Sequence, residues 1–434
     1  MRRTLLSVAA LLCWSLFFAG DESLTFADFR KQFVDGYSEL GIPGLEYDYR
    51  DHLRQIPGEE SLKKQSAFFN QQQEQLATVN KRGLSKKEKL ELETITYEID
   101  FNLYRINLET AWVKNGRQVP DGGISSMKDH AKWYRYFIQE FTSTDITPEE
   151  IFALGKSEVA RVQAEIDKIR TSLGFRDNAS FYKHLENDSF YITGKDQLIA
   201  AFRATDNTVR QHLDEFVEVS EVPPIEPMEW PGAGQYTPPG MYLNHSQNAY
   251  GKDVFQFNFY GGRYNRRTIE WLYMHEAIPG HHLQSVFWRN EGSLPFLYPG
   301  NFEGWACYVE YPGNDVGLLQ DPYALLGKWE WDLVRSARLV IDAGIHYYGW
   351  SRQQALDYWK QTIPGQDDIA EREITRVTNW CGQALSYKVG AHYILQMKQD
   401  YLHDGKAAKQ FHTRYLRSGM VPLMVLKEHI ISRS

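Results

Sequence analysis

Apolar residues recur at helical spacing along most of the chain. Ser85 precedes a run in which Leu90, Leu92, Ile95, Ile99, Leu103 and Ile106 repeat near a period of 3.6, which predicts a helix. A second helix is marked at both ends. Thr147 caps it, Pro148 takes its first position, Glu150 completes a capping box and Gly174 stops it. Between these marks Ile151, Leu154, Glu158/Val159, Val162, Ile166 and Ile169 form one stripe. The period changes near residue 254. In VFQFNFY, residues 254–260, phenylalanine alternates with other residue types, as in a strand, and residues 241–244 are placed to close a hairpin with it.

Residues 221–240 read EVPPIEPMEWPGAGQYTPPG. Six of the chain's 17 prolines fall between Pro223 and Pro239, so no helix passes through this stretch. The pattern predicts a mostly α protein: a helical part over 21–220, a Pro/Gly-rich connection over 221–240, and a second part over 241–434. No flexible linker separates the halves, so one shared core is expected. A small β-hairpin or edge strand should lie beside the helix that follows it.

The first twenty residues differ from the rest. Arg2 and Arg3 precede an apolar run from Leu5 to Phe18, followed by Ala19, Gly20 and Asp21, the layout of a secretory signal peptide over 1–20. The run falls short of the ~20 apolar residues of a membrane span, and no other segment approaches one. Cys13 lies inside the apolar run, where a lipid anchor is not expected. The reading is an exported protein, periplasmic or extracellular, with no transmembrane segment once the leader is removed.

Composition narrows the class. With 434 residues, 42% of them apolar, the chain can bury a sizeable core, which excludes disorder, collagen and a coiled-coil rod. A net charge of −8 without a basic block argues against nucleic acid as the main partner. Beyond the leader only Cys307 and Cys381 remain, enough for one disulfide; two buried free thiols are the preferred reading.

Chemistry concentrates in TIEWLYMHEAIPGHHLQSVFW, residues 268–288. An HExxH helix places two histidines one turn apart on one face, with the glutamate beside the metal. Here Pro279 stands where the second histidine belongs. On a straight helix His275 and His281 would lie roughly 240° and about 9 Å apart, too far to share a metal. Pro279, however, removes the hydrogen bond to the His275 carbonyl, and Gly280 tolerates unusual dihedrals. If two residues loop out at Pro-Gly, His281 enters the vacant position. His282 is the rival and needs more distortion. A third ligand should come from a second helix about twenty to thirty residues on, and Glu303 in NFEGWACYVEY fits. Glu310, two turns later, suits a supporting place around the metal or the substrate cleft.

Arg338, Asp342 and His346 repeat at i, i+4 and i+8. Asp342 could orient a ligating histidine and His346 could donate to an oxyanion; a salt-bridged helix face has the same spacing. In NWCGQALSYKVG, Gln383 and Tyr387 stand at i and i+4. A phenol is a common oxyanion donor, although a tyrosine in a chain with 26 of them is more often packing.

The motifs HEAIPGHHLQ, FEGWACYVE, RLVIDAGIHYYGW and GQALSYKVG, in that order, resemble the domain-of-unknown-function 885 family. Its members are largely bacterial, helical and often exported, and they look like distant relatives of glutamate-type zincins such as carboxypeptidase Taq. The family pattern has proline where this chain has Cys381. The resemblance implies a large helical zincin-like body with Zn2+ held by His275, His281 and Glu303. It also implies Glu276 as general base, with His346 and Tyr387 as catalytic partners. The expected activity is zinc-dependent hydrolysis of short peptides. Hydrolysis of a non-peptide amide, or a non-catalytic periplasmic binding protein with a residual metal site, are the alternatives.

Overall fold

The structure is a computed structural model that describes residues 24–291 and 294–431. The leader over 1–20, with Cys13, lies outside the described residues. The protein is mostly α-helical. Both helices marked in the sequence are present. Lys86–Lys114 carries a capping box between Ser85 and Glu88, and Pro148–Ser172 carries one between Thr147 and Glu150. In the second helix Gly155 replaces Leu154 in the buried stripe, because the helix lies closely along Pro322–His346. Among the described residues no helix is long and apolar enough to cross a membrane.

The hairpin is present, and it belongs to a larger sheet. Gly240–Leu243 pairs antiparallel with Val254–Phe257, with Gly240 opposite Phe257 and Leu243 opposite Val254. A third strand, Glu226–Glu229, runs parallel to Val254–Phe257 on its other side. Val254–Phe257 is therefore the central strand, not an edge, and even Gln256 is buried. This corrects the expectation of an edge strand at 254–260. The prolines had hidden the third strand. Trp230 N–H donates to Phe257 O (2.8 Å), which puts the N–H of every second residue toward the sheet and leaves Pro227 facing outward. That is where an edge strand tolerates proline.

The core draws on sequence from both sides of residues 221–240. Leu198, Phe202 and Val209 pack with Phe255, Phe257, Trp271 and Met274, while Trp133 and Phe137 pack with Leu339, Leu385 and Val389. Each such side chain contributes about 1.5–3 kcal/mol on burial, so the packing ties the two parts together. Pro299–Tyr308 crosses Leu385–His403 where Gly304 meets Gly390, and a Cβ on Gly304 would stand 2.6 Å from the Gly390 Cα. Beside it, Asn301 donates to Val421 O (2.9 Å) and accepts from Gln284 (3.0 Å). Cys307 and Cys381 are both free and buried.

Candidate metal centre

The Ile269–Glu276 helix ends at Ala277, whose backbone leaves helical geometry (φ −111°, ψ −103°). The Ile278–Pro279 peptide is cis, and a new helix, His281–Glu291, begins two residues after it. His282 N–H reaches back to Ala277 O (3.1 Å) and Gln284 N–H to Gly280 O (3.0 Å). Gly280 crosses the end of the first helix so closely that a Cβ would stand 2.0 Å from the His275 carbonyl oxygen. The Trp305 indole holds the crossing by donating to Pro279 O (2.9 Å).

This break brings the His281 ring beside that of His275, with centroids 4.9 Å apart and planes at 83°. Pro299–Tyr308 supplies Glu303 between them. Glu303 Oε2 lies 3.4 Å from His275 Nε2 and 3.4 Å from His281 Nε2. Ligand atoms on a tetrahedron around zinc, each ~2.0–2.1 Å from the ion, stand ~3.3–3.4 Å apart. Glu303 Oε2 is buried and has no hydrogen-bond partner among the described residues, as a carboxylate oxygen facing a cation would be. Nitrogen–nitrogen–oxygen donors at this spacing fit Zn2+. Burial works against the charge on Glu303, but the two imidazoles hold its carboxyl well below the usual range. The Phe302 ring stacks on His281 at 3.8 Å and fixes its plane.

His275 is oriented from behind. Its Nδ1 lies 2.9 Å from Glu310 Oε1, and Glu310 Oε2 accepts from Arg335 Nη1 (2.6 Å). With Nδ1 engaged, Nε2 faces Glu303. Burial opposes protonation of His275, yet its contacts with Cys307, Glu303 and Glu310 raise its pKa well above the ordinary value. His275, Cys307 and Glu310 form a second trio of potential ligands, but the Arg335 guanidinium already supplies its positive charge. His282 is directed elsewhere. Its Nε2 donates to Pro223 O (2.8 Å), and its Nδ1 lies 3.2 Å from Asp253 Oδ2, which Arg289 also engages. Glu276 is buried next to His275, and its Oε2 accepts the Tyr242 N–H (2.8 Å) from the free edge of Gly240–Leu243.

The Arg338–Asp342–His346 expectation is corrected. Arg338 pairs with Glu373 (2.5 Å), and Asp342 accepts from the Tyr134 hydroxyl (2.7 Å) and Gly382 N–H (3.2 Å), orienting no ligand. Burial raises the Asp342 pKa to about 7. His346 is fully buried; its Nδ1 accepts the Ile124 N–H (3.3 Å) and its Nε2 donates to Val377 O (2.8 Å). Both ring nitrogens are occupied, so none remains for an oxyanion, and burial lowers the pKa to about 4. His346→Gln is expected to leave the His275, His281 and Glu303 cluster in place while costing about 1–3 kcal/mol of stability. The unfolded chain binds this proton below about pH 6.5, and the fold resists it down to about 4. His346 therefore makes the wild type lose stability as pH falls through that window. Melting curves at pH 4–7 should show the gap between wild type and variant widest above pH 6.5.

Tyr387 does lie at the site. Its ring is nearly parallel to that of His275 (6.4 Å, 14°), and its hydroxyl accepts from Arg376 Nη2 (3.2 Å) with Gln383 Nε2 at 3.5 Å. Burial and the charge of Glu303 raise its pKa, with Arg376 opposing. Three neighbours escaped the sequence reading: Cys307, Arg335 and Arg376. For Arg335 a signal existed, since Lys328, Asp332 and Arg335 stand at i, i+4 and i+7 of one helix.

Solved structures share this fold. A candidate lipoprotein from Colwellia psychrerythraea aligns with a TM-score of 0.65 at 22% identity, over 93% of this chain and 74% of that one. A candidate lipoprotein of unknown function from Shewanella oneidensis aligns with a TM-score of 0.73 at 16% identity, over 94% and 100%. Among curated proteins none matches the sequence. One family profile matches residues 125–430, well over half of the chain and all four motifs, and its description is "Bacterial protein of unknown function (DUF885)". The chain belongs to that family.

Proposed function

We propose that the protein is an exported zinc-dependent metallopeptidase that hydrolyses short peptides. The observation that carries this reading is Glu303 Oε2 standing 3.4 Å from both His275 Nε2 and His281 Nε2, with Glu276 adjoining His275. Three protein ligands, with no fourth among the described residues, are the number of a catalytic zinc site; structural zinc is closed by four. Zinc held there supplies a Lewis acid that polarises a carbonyl and lowers the pKa of water toward about 7.

The chain's own residues do the rest. Glu276 takes the proton of the attacking water and passes it to the departing amine. Tyr387 donates its hydroxyl proton in a hydrogen bond to the oxygen on which negative charge develops, and Arg376 and Gln383 hold that hydroxyl in place. Glu310 keeps His275 in the productive tautomer. Gly240–Leu243 is the outer strand of its sheet; Glu276 takes the outward Tyr242 N–H, and the outward groups of Gly240 are where an extended peptide would add. The signal-like start of the sequence supports export, and the lipoprotein descriptions of the two structural neighbours agree with it.

Metal analysis of the purified protein is expected to give one zinc per chain. A peptide-library digest should stop on complete metal removal and resume when zinc is returned. Cleavage that survives metal removal would sink the reading.

A further inference from the structure

Arginines around the candidate site come with carboxylates. Arg335 pairs with Glu310 (2.6 Å), Arg338 with Glu373 (2.5 Å) and Arg372 with Glu373 (2.8 Å). Arg376, in the last turn of Ala370–Asn379, is the exception. It makes no ion pair among the described residues, because Arg338 and Arg372 already engage Glu373, the acid one turn before it. Its hydrogen bonds run through Nη2, to Gln383 Oε1 (2.9 Å) and Tyr387 (3.2 Å), while its Nε–H is buried without a partner. The guanidinium is held between two rings, 5.2 Å from the Trp380 centroid and 5.6 Å from that of Tyr387. Burial works against its charge, but Tyr387, Glu373 and Glu303 together favour it.

Arg376 is also next to the chemistry. It bonds the tyrosine that stacks against His275, and the charge of Glu303 acts on both Arg376 and Tyr387. Tyr47, 48% exposed, packs on Trp380 and marks the side from which solvent reaches this corner. A fixed, half-buried guanidinium whose Nε–H has no acceptor is costly unless an anion joins it.

We propose that Arg376 anchors a carboxylate of the substrate beside the scissile bond, which makes the site selective for peptides cut next to a free carboxyl terminus. This specificity rests on the metallopeptidase reading; the carboxylate-binding corner itself does not. The carboxylate could belong to the chain terminus or to an acidic side chain, and the test separates them. Zinc-loaded Glu276→Gln protein, which holds peptide without cutting it, is titrated calorimetrically with three ligands. They are an acetylated diphenylalanine with a free carboxyl terminus, the same peptide amidated, and an amidated peptide ending in glutamate. The free acid is expected to bind about 10–100-fold more tightly than its amide. Adding Arg376→Met should remove most of that preference, and Arg376→Lys should restore part of it, since a charge returns without the directed Nε–H.

A glutamate peptide that binds as tightly as the free acid would replace the terminal carboxylate by a side-chain one and overturn the terminal assignment. Equal binding of acid and amide, or a preference that survives Arg376→Met, would overturn the anchor altogether. The acid–amide comparison needs no substitution at Arg376, so a misfolded variant cannot obscure the result. If the wild type cuts no peptide while the preference persists, the peptidase reading fails and the anion site stands.

Discussion

Glu276→Gln is expected to keep its zinc and lose turnover by about 10²–10⁴-fold, the usual worth of a positioned general base. The substitution is close to isosteric, and a glutamine oxygen can still accept the Tyr242 N–H that Glu276 accepts at 2.8 Å. The Gly240–Leu243 edge should therefore stay where it is, and the His275, His281 and Glu303 side chains are untouched. What disappears is the basic carboxylate. Metal content measured beside kcat/KM on a short peptide separates this from collapse of the site. A zinc-replete variant with full activity would remove Glu276 from the mechanism.

Gly280→Ala should do comparable damage by a different route. The added methyl would stand 2.0 Å from the His275 carbonyl oxygen and 2.2 Å from that of Met274, and both obstacles are backbone. No side-chain rotation relieves such contacts, so the crossing must lift off the helix end. Its hydrogen bond from Trp305 and the placement of His281 depend on that contact. A loss of more than about 3 kcal/mol is expected, beyond the range of ordinary substitutions, together with at least about 10–100-fold weaker zinc binding. His281→Ala is the control: it removes a ligand without the clash, so the metal-free form should melt close to metal-free wild type. A Gly280→Ala protein with normal zinc affinity would mean that the crossing does not set the His281 position.

The parts of this fold that were legible in sequence are those with local causes. Ser85–Glu88 and Thr147–Glu150 are capping boxes whose partners lie three residues apart, and the helices they open are where the pattern put them. The Pro279–Gly280 break was readable because a missing N–H and a missing Cβ act on adjacent backbone. What stayed hidden depends on partners far along the chain. Glu226–Glu229 is a strand only because Val254–Phe257 lies beside it, and Pro227 masks it. The His346 spacing matched a useful face, yet its neighbours are Ile124 and Val377, which no helical period reveals. Arg376 gave no local sign, since its distinction is the ion pair it lacks among the described residues.

Five consecutive residues of Pro299–Tyr308 each meet a different neighbour: Asn301 the Val421 carbonyl, Phe302 the His281 ring, Glu303 both imidazoles, Gly304 the Gly390 backbone and Trp305 the Pro279 carbonyl. At about 100° per residue these five directions span more than a full circumference. The helix can neither roll nor slide without breaking several of them at once. A substitution at any one of the five therefore shifts the others with it, and the segment serves as the datum from which the rest of the site is measured.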